Sequence, residues 1–266
     1  MIKKIFMHSY LYIVLAIMYI PLVIIFINSF NGNSSMGNWT GGFTFKPYLN
    51  LFSGSHSKEI MMALLNSMII AISSSLLALI FGTLGAIGIN SMKKKWRNAI
   101  NTTAKVPMIN AEIITAVSFM IFFGALQMPP GYVTLIIAHT AFCTPYVLLS
   151  VLPKLQQVND NTYEAALDLG ATPMKALTRV IFPQILPAMI SGVLMAFTIS
   201  LDDFVITQFN IEGFNTFTTY IYTEGLKRPL PPEVRALSVI IFLFALAMLI
   251  IANRMANRSK GEKIIK

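Results

Sequence analysis

Charged residues are scarce in this sequence: Asp, Glu, Lys and Arg make up 12% of the 266 residues, whereas apolar residues make up 55%. A soluble domain is about one-quarter charged, so the composition excludes that class and indicates a membrane protein. The single cysteine, Cys143, can form no disulfide within the chain and leaves the redox compartment undetermined. The sequence also lacks a G-x-x-x-x-G-K-[ST] phosphate loop, a cluster of metal ligands and a nucleophile paired with a base, so enzyme chemistry has little support.

Long apolar runs are present instead. A transmembrane helix needs about 20 predominantly apolar residues. Lys3 and Lys4 precede the first run as in a signal peptide, but its apolar core is longer and no convincing cleavage site follows, so we interpret it as a true span. The sequence predicts an all-α polytopic membrane protein with six transmembrane helices, near Tyr10–Phe30, Met62–Asn90, Thr103–Ala125, Tyr132–Leu152, Pro183–Ile206 and Ala236–Ala252.

Lysines and arginines are distributed unevenly between these spans. If the N-terminus is cytosolic, 15 of the 20 basic residues fall in inner segments. Because basic residues favour the cytosolic side, we expect both termini in the cytosol. The net charge of +9 is then mostly a sign of topology, and no basic face with stacking aromatics indicates a nucleic-acid partner. The basic residues left outside are Lys46, Lys58, Lys227, Arg228 and Arg235.

The segments around the second predicted span differ in composition. The first outer loop, roughly residues 31–60, is rich in Gly, Ser and Asn and has no helical apolar stripe, so we expect an irregular lid. The second span itself contains many small residues, among them Gly82, Gly85 and Gly88. Small residues allow helix backbones to approach closely, which predicts tight packing of this helix against its neighbours.

A more polar stretch, Tyr163–Phe182, lies between the fourth and fifth spans on the predicted cytosolic side. Its pattern predicts a helix, a turn and a second helix. A residue among Asn159–Asn161 can cap the first helix, and Gly170 suits the left-handed residue that ends it. Thr172 followed by Pro173 is a strong start for the second helix.

The charges and apolar residues of this stretch fit two interpretations. Glu164 is expected near the start of the first helix and Arg179 near the end of the second, where the helix dipoles favour them. A surface hairpin that merely links two spans would explain this much. A docking surface would also explain a group of small apolar side chains that a linker does not need, namely Ala165, Ala166, Leu169 and Ala171.

The same stretch resembles the EAA loop of the permeases of ABC importers. The pattern in that family is EAA, three residues, G, nine residues and then I-x-L-P. Glu164, Ala165, Ala166, Gly170 and Pro183 stand at those positions, while Val180 and Phe182 replace the usual Ile and Leu. The opening of the second span, with Asn66, Ser67, Gly82 and Ala86, is also similar to this family. Four segments resemble permeases of spermidine/putrescine importers in particular: YIPLVIIFINSFN, IIAHTAFCTPYV, SLDDFVIT and PPEVRALSVII.

The resemblance implies a type I ABC importer permease fold. It also implies that residues 1–266 form a single permease domain, in which residues 159–182 are a cytosolic coupling loop. It implies an ATPase-coupling role for Glu164, Ala165, Ala166, Gly170 and Pro183. The implied partners are an ATP-binding subunit in two copies, a second permease subunit, an extracytoplasmic polyamine-binding protein and the lipid bilayer of a bacterial cytoplasmic membrane. Because the chain has no phosphate loop, ATP would be used by the partner subunit, and the chain itself needs no cofactor or metal.

Ionisable groups at membrane depth are candidates for a substrate pathway. Asp202 and Asp203 lie about 30 Å of helix beyond Pro183 and are expected near the outer end of the fifth span. Polyamines carry separated ammonium groups, which carboxylates and aromatic faces can compensate. A solvated helix end is the alternative for the two aspartates. Phe204, Tyr220, Tyr222 and Glu224 are the other candidates in this region.

Two further polar residues lie within the third and fourth spans. Glu112 follows Pro107 and Asn110, so the third span is expected to break there, with Asn110 capping a half-helix and Glu112 in its first turn. Glu112 then serves either the substrate pathway or helix capping alone. His139 fits a histidine hydrogen-bonded by a neighbouring helix better than a ligand.

Three other functions compete with a polyamine permease. A permease of the same superfamily for another solute would share the EAA loop. A secondary transporter would couple to an ion and predicts internal repeats and paired broken helices, which we do not find in the sequence. A purely structural membrane subunit would leave the EAA pattern unexplained.

Overall fold

The computed structural model describes residues 2–34 and 42–261, which form helices joined by short connections. Their bounds follow the apolar runs closely, because a backbone in lipid must satisfy its own hydrogen bonds. The helices are α1 (Ile2–Asn28), α2 (Lys46–Ser53), α3 (Ser57–Asn90), α4 (Lys94–Thr103), α5 (Val106–Ile109), α6 (Glu112–Ala125), α7 (Tyr132–Leu155), α8 (Asp160–Asp168), α9 (Pro173–Ala176), a π-helical turn (Leu177–Ile181), α10 (Phe182–Asp202), α11 (Val205–Asn210), α12 (Phe217–Lys227) and α13 (Pro232–Gly261).

Within the described residues, four helices are long and apolar enough to cross a membrane: α3, α7, the continuous run Pro173–Asp202 and α13 as far as Arg254. The third predicted span is a bent pair, in which Lys94–Ile109 and Glu112–Ala125 meet at 98°. Counted as one span, this pair makes five. The first predicted span corresponds to α1, in which Tyr12–Asn28, the part whose side chains the structure describes, is an apolar helix.

The first outer loop differs from its prediction. It is not irregular throughout, because it contains α2 and the first turn of α3. The Gly and Ser content hid an amphipathic pattern in α2, where Pro47 and Leu51 are buried and Lys46, Asn50 and Ser53 form an exposed polar face. Residues 35–41 of this loop lie outside the described residues.

The chain forms two compact units. The first comprises residues 1–64 and 220–244. In it, Arg235 is buried and donates from Nη2 to the carbonyl oxygens of Asn31 and Asn33. Tyr48 and Ser29 share a hydrogen bond of 2.7 Å between their hydroxyls, which ties α2 to the residue after α1.

The second unit comprises residues 65–219 and 245–266 and holds the larger core around α7. Close packing at Val147 explains two of its glycines: a Cβ on Gly82 would lie 2.7 Å from Val147 Cβ, and one on Gly192 would lie 3.2 Å from Val147 Cα. The predicted tight packing of the second span is therefore confirmed at Gly82. At Gly88 a Cβ would meet nothing within 4 Å, so this glycine makes no close helix contact in the unit.

Candidate functional site

The loop between α7 and α10 has the predicted helix, turn and helix. Asn159 caps α8, its Oδ1 accepting from the Asn161 amide at 3.1 Å. Gly170 ends the helix at φ +83°, with the amide of Ala171 donating to the carbonyl of Ala166 and its own amide to that of Leu167. This pair of bonds is a Schellman motif, in which the left-handed residue favours glycine.

The second helix of the loop begins as predicted but does not end as predicted. Thr172 caps it, with Oγ1 accepting from the Lys175 amide at 3.4 Å, and Pro173 is its first residue. The helix then continues through the π-helical turn into α10 without interruption. Arg179 therefore lies inside the π-helical turn rather than at a helix end, and the predicted dipole interaction is wrong. The apolar run that continues the helix outweighs the local signal of a basic C-terminal residue.

The predicted coupling residues differ in exposure. Glu164, Ala165, Gly170 and Pro183 are exposed, whereas Ala166 is buried and faces the molecule. The exposed apolar surface of the loop consists instead of Ala165, Leu169 and Met174, with Leu169 89% exposed. A group of exposed apolar side chains in a loop held by three capping interactions is typical of a contact surface for another protein.

A cavity of about 610 Å³ lies beside the loop. Asn90 at the end of α3 and Val158 after α7 form one wall, and Tyr163, Glu164 and Met174 of the loop form the other. Among the described residues Glu164 has no ion-pair partner in this mostly apolar groove. The groove therefore presents a carboxylate and an apolar wall, which suit a protein segment that carries a basic residue.

The fifth span ends in a break that the sequence did not predict. α10 stops at Asp202, Asp203 is extended at ψ 130°, and the short helix α11 follows from Val205. The Asp203 carboxylate accepts from the Thr207 amide at 2.9 Å, from the Thr207 hydroxyl at 2.8 Å and from the Ile206 amide at 3.4 Å. It thus satisfies free amides at the start of α11 in the manner of an N-cap.

His139 of α7 completes this buried cluster. Its Nδ1 lies 2.8 Å from Ser200 Oγ, and its Nε2 lies 3.1 Å from Thr207 Oγ1 and 3.6 Å from Asp203 Oδ2. The histidine is hydrogen-bonded by neighbouring helices, as expected. His139 is seven residues into α7, so the Asp203 carboxylate lies about 10 Å along that helix from Tyr132.

The two aspartates therefore differ in their surroundings. They stand at the end of α10, as predicted, but that end lies beside α7 and not at a fully solvated mouth. The Asp203 side chain is 4% exposed, so the solvated helix end is wrong for this residue. Of the two, only Asp202 is exposed.

The irregular segment after α11 is held by side chains of α3 and α7. Asn66 Nδ2 donates to the carbonyl of Asn215 at 2.8 Å, and the Phe217 amide donates to Ser67 Oγ at 2.9 Å. Tyr132 donates to Asn66 Oδ1 at 2.6 Å. Irregular backbone at membrane depth requires such partners. Asn66 and Ser67, which resemble the permease family at the opening of the second span, therefore also have a structural role that was not predicted. Their polarity inside an apolar run was the available signal.

Glu112 lies at the bend of the third span. It is the first residue of α6, as predicted, and is exposed. The predicted cap is wrong: Ala111 is the N-cap residue, and Asn110 ends α5 and donates from Nδ2 to Thr115 Oγ1 at 3.3 Å. An amide aimed at a hydroxyl one turn into α6 stabilises the bend without using the helix amides.

Three further candidates belong to the first unit. Tyr220 is buried and Tyr222 is 49% exposed. Glu224 already holds two cations, with Arg228 Nη2 at 2.7 Å and Lys227 Nζ at 3.3 Å. The hydrogen bond from Arg228 lowers the pKa of Glu224 below its ordinary value. Glu224 is consequently a paired carboxylate on the surface of α12, not an unoccupied cation ligand.

Comparison with known proteins identifies the class to which this arrangement belongs. The sequence model of the family "binding-protein-dependent transport system inner membrane component" matches residues 78–259, which include both the coupling loop and the break after α10. The chain belongs to this family and is a multi-pass membrane permease subunit of the ABC-importer type.

Its relatives narrow the class to the PotC-like permeases. The spermidine/putrescine transport system permease protein PotC of Haemophilus influenzae is 32% identical, over 95% of this chain and 96% of its own length. PotC of Escherichia coli strain K12 is 30% identical over 98% of both chains. The putrescine transport system permease protein PotI of the same strain is 32% identical over 84% of this chain and 81% of its own length.

Solved structures show the same fold at low identity. A bacterial ABC transporter involved in the import of the acidic polysaccharide alginate matches with a TM-score of 0.65, 17% identity and 96% coverage of both chains. The MetNI methionine ABC transporter matches with a TM-score of 0.62 and 15% identity, over 78% of this chain and 99% of its own. The predicted type I permease fold is thereby confirmed.

Proposed function

We propose that this chain is one of two permease subunits of an ATP-driven importer for the polyamines spermidine and putrescine. The names of the PotC and PotI relatives support the solute class. In this proposal residues 1–266 are one permease domain with both termini in the cytosol of a bacterium. A second permease subunit, two ATP-binding subunits and an extracytoplasmic polyamine-binding protein complete the importer, and the ATP-binding subunits alone hydrolyse ATP.

The observation that carries the proposal is the continuous helix from the coupling loop to the break. Pro173–Asp202 contains 30 residues and is therefore about 45 Å long. Its first residue follows the exposed Leu169 and the Gly170 turn, and its last is Asp202. When an ATP-binding subunit bound to Leu169 and Glu164 moves, it would displace this helix along its whole length, including the end where Asp202 and Asp203 lie.

We assign the proposed substrate residues to contact or positioning roles according to their exposure and hydrogen bonds. Asp202, Glu112 and Tyr222 have exposed side chains that could meet an ammonium group. Asp203 uses its oxygens within the protein, and Tyr220 is buried, so both are assigned to positioning. A single exposed carboxylate at the break suits one ammonium group of a solute that carries several.

Uptake of labelled spermidine and putrescine by the whole importer in proteoliposomes tests this function. ATP-dependent uptake that requires the binding protein is expected for at least one polyamine, and Asp202→Asn should reduce it while ATP hydrolysis is retained. A complex that assembles and hydrolyses ATP but carries neither polyamine would contradict the solute assignment and favour another solute of the same superfamily.

A further inference from the structure

Helix α4 and the residue before it form the most basic segment of the described chain. Lys93, Lys94, Lys95 and Arg97 fall within five positions. The three lysines are exposed and Arg97 is half-buried. No described acidic side chain forms an ion pair with any of them. Four neighbouring cations without a counter-charge repel one another, so an anionic surface would relieve a real cost.

The same helix is amphipathic. At 100° per residue, Trp96, Ala99, Ile100 and Thr103 share one face, and the opposite face carries Lys94, Arg97, Asn98 and Asn101. Ile100 packs against the core of the second unit, but Trp96 is 65% exposed. An exposed tryptophan beside a cluster of cations is typical of the interface between lipid and water, where the indole is half in each phase.

The geometry of the bend places α4 along the membrane surface. Lys94–Ile109 meets α6 at 98°, so if α6 runs across the bilayer, α4 lies nearly parallel to its plane. α4 begins four residues after α3 ends at Asn90, and Asn90 lines the groove beside the coupling loop. The exposed apolar side chains of α3, such as Phe81 and Leu84, lead to this level from the membrane side.

We propose that α4 is an interfacial helix whose cations bind the headgroups of anionic phospholipids. Trp96 would enter the headgroup boundary, and Lys93, Lys94, Lys95 and Arg97 would contact phosphate groups. The assignment of α4 to the cytosolic leaflet rests on the proposed function, which places the coupling loop on the cytosolic side of the membrane. Continuity with the apolar surface of α3 and the angle of the bend favour lipid over an acidic protein surface as the occupant.

The test uses the full chain in nanodiscs, with Trp39→Phe leaving Trp96 as its single tryptophan. Quenching of Trp96 emission is measured in phosphatidylcholine bilayers that contain a minor fraction of a lipid with brominated acyl chains. In one set of nanodiscs the brominated lipid is phosphatidylglycerol, and in the other it is phosphatidylcholine. Each cation at an anionic surface gives roughly a fivefold preference. To reach the same quenching of Trp96, the bilayer should therefore need an at least fivefold smaller fraction of brominated phosphatidylglycerol than of brominated phosphatidylcholine.

A matched pair of variants separates local binding from overall charge. Lys94→Gln with Arg97→Gln should reduce the preference at least fivefold, whereas Lys46→Gln with Lys58→Gln, which removes the same charge elsewhere, should leave it unchanged. Equal quenching by both lipids overturns the headgroup site. Absence of quenching by either lipid places Trp96 in water or against protein and overturns the interfacial helix itself. Neither result depends on transport, so the proposed function is tested separately.

Discussion

The turn at Gly170 offers a sharp test of coupling, because its geometry separates backbone strain from steric clash. Gly170 has φ +83°, and a Cβ built on it would meet no atom within 4 Å. Substitution by Val would therefore strain the left-handed backbone by roughly 1 to 2 kcal/mol, without a clash at Cβ. That cost is small against the stability of the whole subunit but falls entirely on the turn.

The strained turn should relax by changing the angle between α8 and the helix that starts at Pro173. The Schellman bonds from Gly170 and Ala171 would then weaken, and Leu169 would leave its position on the contact surface. In the reconstituted importer, Gly170→Val should retain membrane insertion and basal ATP hydrolysis but lose most polyamine uptake per ATP hydrolysed. Uptake and phosphate release measured in the same proteoliposomes give this ratio.

Gly88→Val is the matched control, since a Cβ there also meets nothing within 4 Å but the backbone is helical. Its coupling ratio should equal that of the parent. If Gly170→Val shows the parental ratio as well, the left-handed turn has no role in coupling and the reasoning is refuted. If both variants lose coupling, added bulk rather than the turn is responsible.

Three further predictions concern the loop and the break. If Glu164 only stabilised its own helix, Glu164→Ala would lose about 0.3 to 1 kcal/mol, a mild effect. We expect instead that clearly less ATP-binding subunit co-purifies with the variant. Recovery equal to that of the parent would limit the role of Glu164 to its own helix. Asp202→Asn should lower uptake at unchanged thermal stability. Asp203→Asn should lower the stability by about 1 to 3 kcal/mol, because it weakens charge-assisted hydrogen bonds to α11. Identical behaviour of the two variants in uptake and thermal unfolding would contradict the assignment of Asp202 to contact and Asp203 to positioning. Asn66→Ala leaves the Asn215 carbonyl without its donor and should cost about 1 to 3 kcal/mol in thermal unfolding of the subunit, and an unchanged unfolding temperature would show that water replaces the amide.

The coupling loop could be predicted from the sequence because its structure depends on local chemistry. Asn159, Gly170 and Thr172 act on amides or torsions within a few residues of their own positions. Such interactions are properties of short peptides as much as of the folded chain. The helix end predicted near Arg179 was wrong because the continuation of this helix is determined by an apolar span and not by its own last turn.

The break after α10 could not be predicted in the same way. Val205 and Ile206 resume the apolar pattern beyond Asp202 and Asp203, so the sequence placed the end of the fifth span near Ile206 and not at Asp202. The helix stops because the Asp203 carboxylate binds two amides of α11 and because partners for the following backbone come from other helices. Those partners, among them Asn66, are more than a hundred residues away in the sequence.

The break also explains how motion of the coupling loop could reach more than one helix. α10 is joined to α7 through His139, which contacts Ser200 on one side and Thr207 on the other. A displacement of the continuous helix at Pro173 would therefore act on α7 at the level of His139, and through the Asp203 cap on α11. Between the two ends, the π-helical turn Leu177–Ile181 departs from α-helical geometry and Pro187 lacks a backbone amide. Flexing at these positions would dissipate the motion, whereas packing of Ile181 into the core resists it at the turn.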